Sequence, residues 1–199
     1  MTTVSFLHQK GGTGKSTLSI ATALALAQSR RRVLLIDADY QGTSSEWGNR
    51  FGHRGQVEIR SQVQPILEKE VARFRPNFDW IVIDAPPALS PMTESVVRAS
   101  DRVIIPVRPS HPDIWALPWL AAILTKLARE GKTVGVRVVF NQYGGEDLTA
   151  LREEIAAWHL PVHPRPLPVD PAFQAVFSGE ALPGPLAELV LELVLEEGD

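Results

Sequence analysis

The stretch His8–Thr17, HQKGGTGKST, combines three glycines, two lysines and two adjacent hydroxyls directly behind a short apolar run. Glycines let successive backbone N–H groups point inward around a phosphate, and a helix that follows offers its positive N-terminal end. Lys15 would supply charge for the β- and γ-phosphates of a nucleotide, and the hydroxyl of Ser16 would bind Mg²⁺. The segment therefore predicts a phosphate-binding loop.

Two residues of this loop depart from the general phosphate-loop pattern. That pattern has a glycine five positions before Gly14, where this chain has Gln9. The pattern also requires no lysine at the position of Lys10, which lies next to glycines in a loop expected to contact phosphate. Lys10 is therefore either a solvated surface lysine or a second cation for the nucleotide.

Three aspartates follow apolar segments that read as buried strands. Asp37 and Asp39 come at the end of VLLIDAD, and Asp84 ends WIVID. In a parallel sheet these ends meet at the carboxyl edge, beside the loop that follows the first strand. Mg²⁺ keeps several waters and takes few protein ligands, so direct binding by Ser16 and water-mediated binding by Asp84 is reasonable. The competing interpretation is that an aspartate here caps a helix or turn, and it applies most strongly to Asp37.

Asn141 ends a further apolar segment, VRVVFNQ. Its side-chain amide could exchange hydrogen bonds with the edge of an adenine base. The alternative is a turn-forming asparagine with no contact to a ligand.

Short β-rich runs alternate with longer helical patterns, which predicts an α/β fold with a mainly parallel sheet and helices on both faces. The predicted strands are Val4–His8, Arg32–Asp37, Trp80–Asp84, Arg102–Pro106 and Val134–Asn141. The predicted helices are Thr17–Ser29, Gln62–Phe74, Thr93–Ala99, Ile114–Glu130, Asp147–His159 and Leu186–Glu196. Several strands are continuously apolar, as expected for strands that are buried on both faces.

The composition is that of an ordinary soluble globular protein, with 199 residues, 44% hydrophobic residues and 22% charged residues. We expect one domain, residues 1–199. The net charge of −3 gives no global basic field, and the absence of cysteine excludes disulfides, Cys-ligated zinc and iron–sulfur clusters. No signal peptide or membrane-spanning stretch is evident, so we expect a cytoplasmic setting. The acidic C-terminal segment PLAELVLELVLEEGD favours a helix packed on the sheet over a membrane-binding helix.

The segment KGGTGKS resembles the deviant Walker A loop of the ParA/MinD family of ATPases. The resemblance continues along the chain. VLLIDADYQGTSSEW is similar to the second motif of that family, FDWIVIDAPPALS to its Walker B and switch region, and DRVIIPVRPSHPDIWAL to the next strand and helix. The small size is most like the short plasmid-partition ParA proteins. Tyr40 departs from the family, because many members have a proline at this position.

This resemblance implies a P-loop ATPase that uses ATP and Mg²⁺. The implied nucleotide-binding residues are Lys10, Gly11, Gly12, Thr13, Gly14, Lys15, Ser16 and Thr17, with Asn141 and Pro168 near the base. By resemblance, Asp39 orients the attacking water, while Asp37 supports the outer shell of a metal held by Ser16 and Asp84. Lys10 corresponds to the signature lysine of the family, which reaches across a dimer to the ATP of the neighbouring subunit.

The partners implied are a second copy of the chain on ATP binding, non-specific DNA, and a ParB-like or other adaptor protein that activates hydrolysis, with no membrane. The function would be plasmid or chromosome partitioning or cargo positioning. Two alternatives stay open. One is a P-loop metabolic enzyme, either a small-molecule kinase or a dethiobiotin-synthetase-like ligase, and the other is a MinD-like division-site regulator.

Two further groups of side chains bear on these partners. The tryptophans, at positions 47, 80, 115, 119 and 158, are predicted to be core or interface anchors rather than base-stacking platforms. Basic residues that could join one face are Lys126, Arg129, Lys132, Arg137, Arg152 and Arg165, and Arg30–Arg32 form a separate run at a turn.

Overall fold

Short runs of branched apolar residues pair into one parallel sheet in the computed structural model, which describes residues 1–51 and 57–195. The strands in these ranges are β1 Thr2–Phe6, β2 Val33–Asp37, β3 Val57–Ser61, β4 Trp80–Asp84, β5 Arg102–Val107 and β6 Gly135–Phe140. Their order in the sheet is β3-β2-β4-β1-β5-β6. Because β1 lies at the centre, the loop that follows it opens between the ends of β4 and β5.

Helices cover both faces of this sheet. They are α1 Lys15–Gln28, α2 Thr43–Phe51, α3 Leu67–Phe74, α4 Pro91–Ala99, α5 His111–Ile114, α6 Leu117–Arg129, α7 Thr149–Ala156, α8 Ala172–Ala175 and α9 Gly184–Val194, with a 3-10 turn at Val176–Ser178. Along β2, Leu34 and Ile36 join the core beneath α3, α4, α6 and α7. Val33 and Leu35 join the core beneath α1, α2 and α9. Alternate side chains of one strand thus bury against opposite helical layers, which explains the continuous apolar runs.

The α/β fold class predicted from the sequence is confirmed, and the five predicted strands are present with ends shifted by a few residues. Strand β3 and helix α2 were missed. Strand β3 lies at the sheet edge and exposes part of its VEIRS sequence, so it lacks a continuous apolar run. The predicted helix Gln62–Phe74 begins only at Leu67.

Other helix predictions were wrong only at their ends. The predicted helix Ile114–Glu130 corresponds to α6, Leu117–Arg129, and the short α5 that precedes it was not predicted. Pro118 lies in the first turn of α6, where its missing N–H costs nothing. Helix α7 ends at Ala156 rather than His159. Helix α9 packs its buried Leu189, Val190 and Leu193 into the core, as predicted, and Glu196 lies outside the described residues. Within residues 1–51 and 57–195, no helix has the length and apolarity needed to cross a membrane.

Candidate nucleotide-binding site

The predicted phosphate-binding loop lies between β1 and α1, with Lys15 as the first residue of the helix. Gly14 has a φ of 96°, and a Cβ at this position would lie 2.2 Å from Nδ2 of Asn141. Asn141 donates a hydrogen bond from Nδ2 to the carbonyl oxygen of Thr13 at 2.8 Å. Gln142 likewise donates to the carbonyl of Gly12 at 3.1 Å. The end of β6 therefore holds the loop so closely that only glycine fits at position 14.

The two lysines of the loop occupy different environments. Lys15 is 6% exposed and donates from Nζ to the carbonyl oxygen of Lys10 at 2.8 Å. Burial lowers the pKa of Lys15, and the charges of Asp84 and Asp39 act in the opposite direction. The side chain of Lys10 is instead 36% exposed and lies 3.6 Å from Oδ1 of Asp113. One lysine thus lies inside the loop beside the carboxylates, and the other lies at its outer side.

Asp84 is a fully buried carboxylate at the end of β4, in register with Asp37 on β2. Burial raises the pKa of Asp84 to about 7, although the nearby hydroxyls of Ser44 and Ser16 act in the opposite direction. Ser44 donates to Oδ2 at 2.7 Å, whereas Oδ1 has no hydrogen-bond partner among the described residues. A buried carboxylate oxygen without a partner is costly to keep charged. Its position beside Ser16 fits a site for a cation.

The other two aspartates make mainly local contacts. Asp37 accepts hydrogen bonds from the backbone N–H of Asp39 at 3.1 Å and of Ser45, in the first turn of α2, at 2.7 Å. Burial raises the pKa of Asp37 despite these bonds. Asp37 therefore caps α2, which agrees with the capping role given above as the alternative to metal binding. Its role in the outer shell of a metal stays a prediction. Asp39 is 9% exposed and accepts one bond from the N–H of Gln41 at 3.0 Å.

A cavity of about 490 Å³ opens beside Gly14 and the start of α1. Its lining includes Thr17, Asn141, Gln142 and Pro168. This volume lies in the range of ordinary small-molecule sites. The structure therefore brings the two residues predicted to lie near a base, Asn141 and Pro168, to one cavity at the end of the phosphate loop.

Sequence reasoning missed a buried cluster on the other side of the loop. Asp113 has no exposed side-chain surface, and Arg108 donates to its two carboxylate oxygens from Nε and Nη2, each at 2.9 Å. His8 lies 3.2 Å from the carbonyl oxygen of Asp113 through Nε2, and its Nδ1 accepts the backbone N–H of Lys10 at 3.0 Å. The only signal in the sequence was an aspartate in the segment RPSHPDIWAL that follows a buried strand.

Within the described residues, no group of three or more His, Cys, Asp or Glu side chains has the arrangement of a metal site. That result is compatible with Mg²⁺ at Ser16 and Asp84, because Mg²⁺ at phosphates takes only one or two carboxylates and completes its shell with water and phosphate oxygens.

Comparison with known proteins agrees with this geometry. The CobQ/CobB/MinD/ParA nucleotide binding domain model matches residues 4–182. Maintenance of carboxysome distribution protein A from Gloeobacter kilaueensis is 37% identical over 115 residues, covering 57% of this chain and 52% of that protein. The chromosome-partitioning ATPase Soj of Thermus thermophilus is 27% identical over 185 residues, covering 76% of this chain and 73% of Soj.

The solved structure of McdA from Cyanothece without nucleotide superposes with a TM-score of 0.78 at 21% identity, covering 98% of this chain and 100% of that one. This likeness supports the fold alone. The chain spans about half the length of its Gloeobacter relative. Because the family model matches most of its residues, this protein belongs to the CobQ/CobB/MinD/ParA nucleotide-binding domain family.

Proposed function

We propose that this protein is an ATPase that forms a homodimer around ATP, binds DNA non-specifically and acts in plasmid or chromosome partitioning or in cargo positioning. The observation that carries the proposal is the separation of the two loop lysines. Lys15 is buried beside Asp84, where it would bind phosphate in its own subunit. Lys10 is partly exposed at the outer side of the loop, where it is available to a second subunit.

The chemistry follows from these positions. Backbone N–H groups of residues 11–16 would cradle the phosphates at the positive end of α1. Lys10 of one subunit would neutralise charge that develops on the phosphoryl group bound to the other, as an arginine finger supplied in trans does. Asp39, nearly buried at the same edge, would orient the attacking water. Hydrolysis would then depend on dimerisation.

Ser16 and Asp84 would hold Mg²⁺, with Asp37 behind them. The unpartnered Oδ1 of Asp84 is the observation that fits the ion. When bound, Mg²⁺ neutralises phosphate charge and favours the ionised form of this carboxyl group. Asn141 and Pro168 would border the adenine base, with the second N–H of the Asn141 amide left for the base edge.

Exposed apolar side chains support a second copy of the chain at the nucleotide edge. The exposed side chains are Tyr40 (79%), Leu89 (39%), Trp115 (65%) and Trp119 (64%). They follow the carboxyl ends of β2, β4 and β5, beside the phosphate loop. Apolar surface gathered on one side of a molecule marks an interaction site. Tyr40, which departs from the proline of many relatives, belongs to this surface.

The basic residues proposed to contact DNA are those without an acidic or backbone partner among the described residues. Lys126 is paired with Glu94 and Arg165 with Glu192, while Arg137 and Arg152 donate to backbone carbonyls. Arg32 is paired with Asp79. In the described part of the chain, Arg129 and Lys132 at the α6–β6 turn have no carboxylate partner, and neither do Arg30 and Arg31 at the α1–β2 turn. These two turns are the DNA-contact candidates, rather than one continuous basic face.

The biological task rests on the relatives. One is named for the distribution of carboxysomes and another for chromosome partitioning. Both names describe the placement of a large cargo within a cell. We therefore propose a positioning cycle in the cytoplasm, with nucleoid association of the ATP-bound dimer and release by a ParB-like or other adaptor protein that stimulates hydrolysis.

Three variants test this proposal. The Asp39→Ala variant, which blocks hydrolysis, should sediment as a monomer alone and as a dimer with ATP and Mg²⁺. Lys10→Ala should keep nucleotide binding and lose hydrolysis at least ten-fold, because Lys10 would act on the ATP of the neighbouring subunit rather than on its own. Lys15→Ala should weaken nucleotide binding itself.

A monomeric Asp39→Ala protein at saturating ATP, or full ATPase activity in Lys10→Ala, contradicts the dimer model. Product analysis separates the metabolic alternative, because a switch releases only ADP and phosphate from ATP. A kinase or ligase would turn over only with a small-molecule acceptor.

A further inference from the structure

The buried carboxylate of Asp113 has two cationic neighbours, Arg108 and Lys10, and Arg108 alone can neutralise it. Arg108 reaches both of its oxygens at 2.9 Å and also donates its backbone N–H to Oδ2 at 3.1 Å. Burial raises the pKa of Asp113, but the hydrogen bonds and charge of Arg108 outweigh this and hold it below its usual range. Asp113 is therefore satisfied without Lys10.

The contact between Lys10 and Asp113 has the properties of a releasable one. The 3.6 Å from Nζ to Oδ1 is longer than a hydrogen bond, and the Lys10 side chain is 36% exposed. Because Arg108 already satisfies the buried Asp113 carboxylate and the contact of the partly exposed Lys10 ammonium is long, a phosphate in reach can replace the carboxylate as the partner of Lys10. The backbone beneath it is fixed, because His8 joins the N–H of Lys10 to the carbonyl of Asp113. Only the side chain of Lys10 has to move.

We propose that Asp113 is a positioning residue that holds Lys10 on its own subunit until ATP and the second subunit compete for it. This inference rests on the proposed function, in which Lys10 acts across the dimer. Asp113 would thereby set the ATP and protein concentrations at which the dimer forms, and would keep the signature lysine from acting in the absence of a neighbour.

Asp113→Asn provides the direct test, since it removes the charge and keeps the shape, and Arg108 is exposed enough to be solvated. In nucleotide-free protein, Lys10 should react with an amine-selective acylating reagent about two- to five-fold faster than in the wild type, as followed by peptide mass spectrometry. In the Asp39→Ala background with ATP, the dimer should form at lower protein concentration. The gain is squared because two subunits each release one lysine, giving about four- to twenty-five-fold.

The matched control is Glu154→Gln. Glu154 on α7 lies 2.9 Å from His111, which belongs to the same short helix as Asp113, and Glu154 does not contact Lys10. Both readouts should stay at the wild-type value in this variant. A merely structural role of Asp113 predicts the opposite sign from ours, because a damaged turn would weaken dimerisation.

A second variant covers the case in which Asp113→Asn does not fold. Arg108→Gln removes the competing cation and leaves Asp113 to Lys10 alone. Labelling of Lys10 should then slow, and the dimer should need more protein than the wild type. The two substitutions at one ion pair thus have opposite expected effects.

Unchanged Lys10 labelling in Asp113→Asn overturns the inference. Unchanged or weaker dimerisation also overturns it, provided that the Asp39→Ala protein that keeps Asp113 (the Asp113-intact protein) dimerises with ATP. If the Asp113-intact protein forms no dimer with ATP, the proposed function fails and the regulatory inference fails with it. The labelling arm needs neither nucleotide nor dimer, so it separates these two failures.

Discussion

At the scale of single residues, the site is built from groups whose environments differ sharply over a few ångströms. His8 is 2% exposed, and burial lowers its pKa to about 4, only partly offset by the backbone hydrogen bond and charge of Asp113. Because Nδ1 accepts the N–H of Lys10, the ring is neutral with its proton on Nε2, which donates to the carbonyl of Asp113. Protonation would place a second N–H against a donor. His8 therefore links the loop to Asp113 only while uncharged.

This environment predicts a pH dependence of stability. Below pH 6.5 the unfolded chain binds a proton at His8, whereas the folded chain does so only near pH 4. The contribution of His8 is therefore complete at pH 7 and is lost as pH falls from 6.5 to about 4. The difference in pKa corresponds to about 3 kcal/mol in the free energy of unfolding.

Denaturant unfolding of the wild type and of His8→Gln between pH 7 and pH 4 measures this loss. Gln has no titrating group, so the carboxylates common to both proteins cancel in the comparison. The wild type should lose about 2–3 kcal/mol more than the variant over this range. Parallel pH profiles would show that His8 is not held neutral.

At the scale of elements, the turns that precede the strands present basic side chains, whereas the nucleotide-binding edge holds the aspartates. The α6–β6 turn presents Arg129 and Lys132, for which no carboxylate partner exists in the described part of the chain. Arg137, by contrast, is bound by the carbonyls of Glu192 and Leu193 near the end of α9. A cation without a partner is available to a phosphate, whereas a cation already held by other groups has to exchange a contact to bind one.

We therefore predict that Arg129→Glu combined with Lys132→Glu weakens ATP-dependent DNA binding equally for all DNA sequences. The log–log salt dependence should become shallower by about one for each DNA phosphate that the variant no longer neutralises. Retention on DNA at several salt concentrations measures both quantities. Arg165→Gln, which removes a cation already paired with Glu192, is the control and should leave the salt slope unchanged. An unaffected salt slope in the double variant would exclude the α6–β6 turn as the DNA contact and favour the α1–β2 turn.

At the scale of the whole molecule, exposed apolar surface is distributed unevenly over the two edges of the sheet. Among the described residues, nine large apolar side chains are exposed. Six of them lie between the carboxyl end of a strand and the first turn of the next long helix: Tyr40, Val63, Ile66, Leu89, Trp115 and Trp119. Val169 lines the cavity beside Asn141. Trp115 is coupled to the phosphate loop, because Gln9 donates to the carbonyl of its neighbour Ala116 at 3.0 Å. A subunit that meets this edge therefore also meets the nucleotide.

The double variant Trp115→Ala/Trp119→Ala should bind nucleotide as a monomer with wild-type affinity but dimerise about ten- to thirty-fold more weakly in the Asp39→Ala background. Large aromatic anchors carry a disproportionate share of interface energy, which is the reason for this magnitude. Sedimentation equilibrium with ATP measures it. Trp158→Ala removes a 43% exposed tryptophan beyond the end of α7 and serves as the control. Equal dimerisation of all three proteins would exclude this surface from the interface.

Local chemistry made much of the protein predictable from sequence. The phosphate loop was evident because glycines and a lysine at a helix start are required by the geometry they form, and Gly14 has room for no side chain. The carboxylates at the ends of β2 and β4 followed from continuous apolar runs, which have to be buried on both faces of a parallel sheet. The α/β fold was therefore determined by patterns that each span fewer than about twenty residues.

Contacts between distant segments were decided only by the tertiary structure. Lys10 and Asp113 are 103 residues apart, and nothing local to either one specifies the other. The same holds for the basic residues, whose availability depends on carboxylates and carbonyls from other elements, and for Trp115 and Trp119, which are exposed while Trp47 and Trp80 are buried. Asp37 follows the same rule, since the capping of α2 appears only once β2 and α2 are packed. Sequence thus determined which groups can bind a nucleotide, and folding decided which charges and apolar faces remain for a partner, because pairing and burial are properties of the assembled chain.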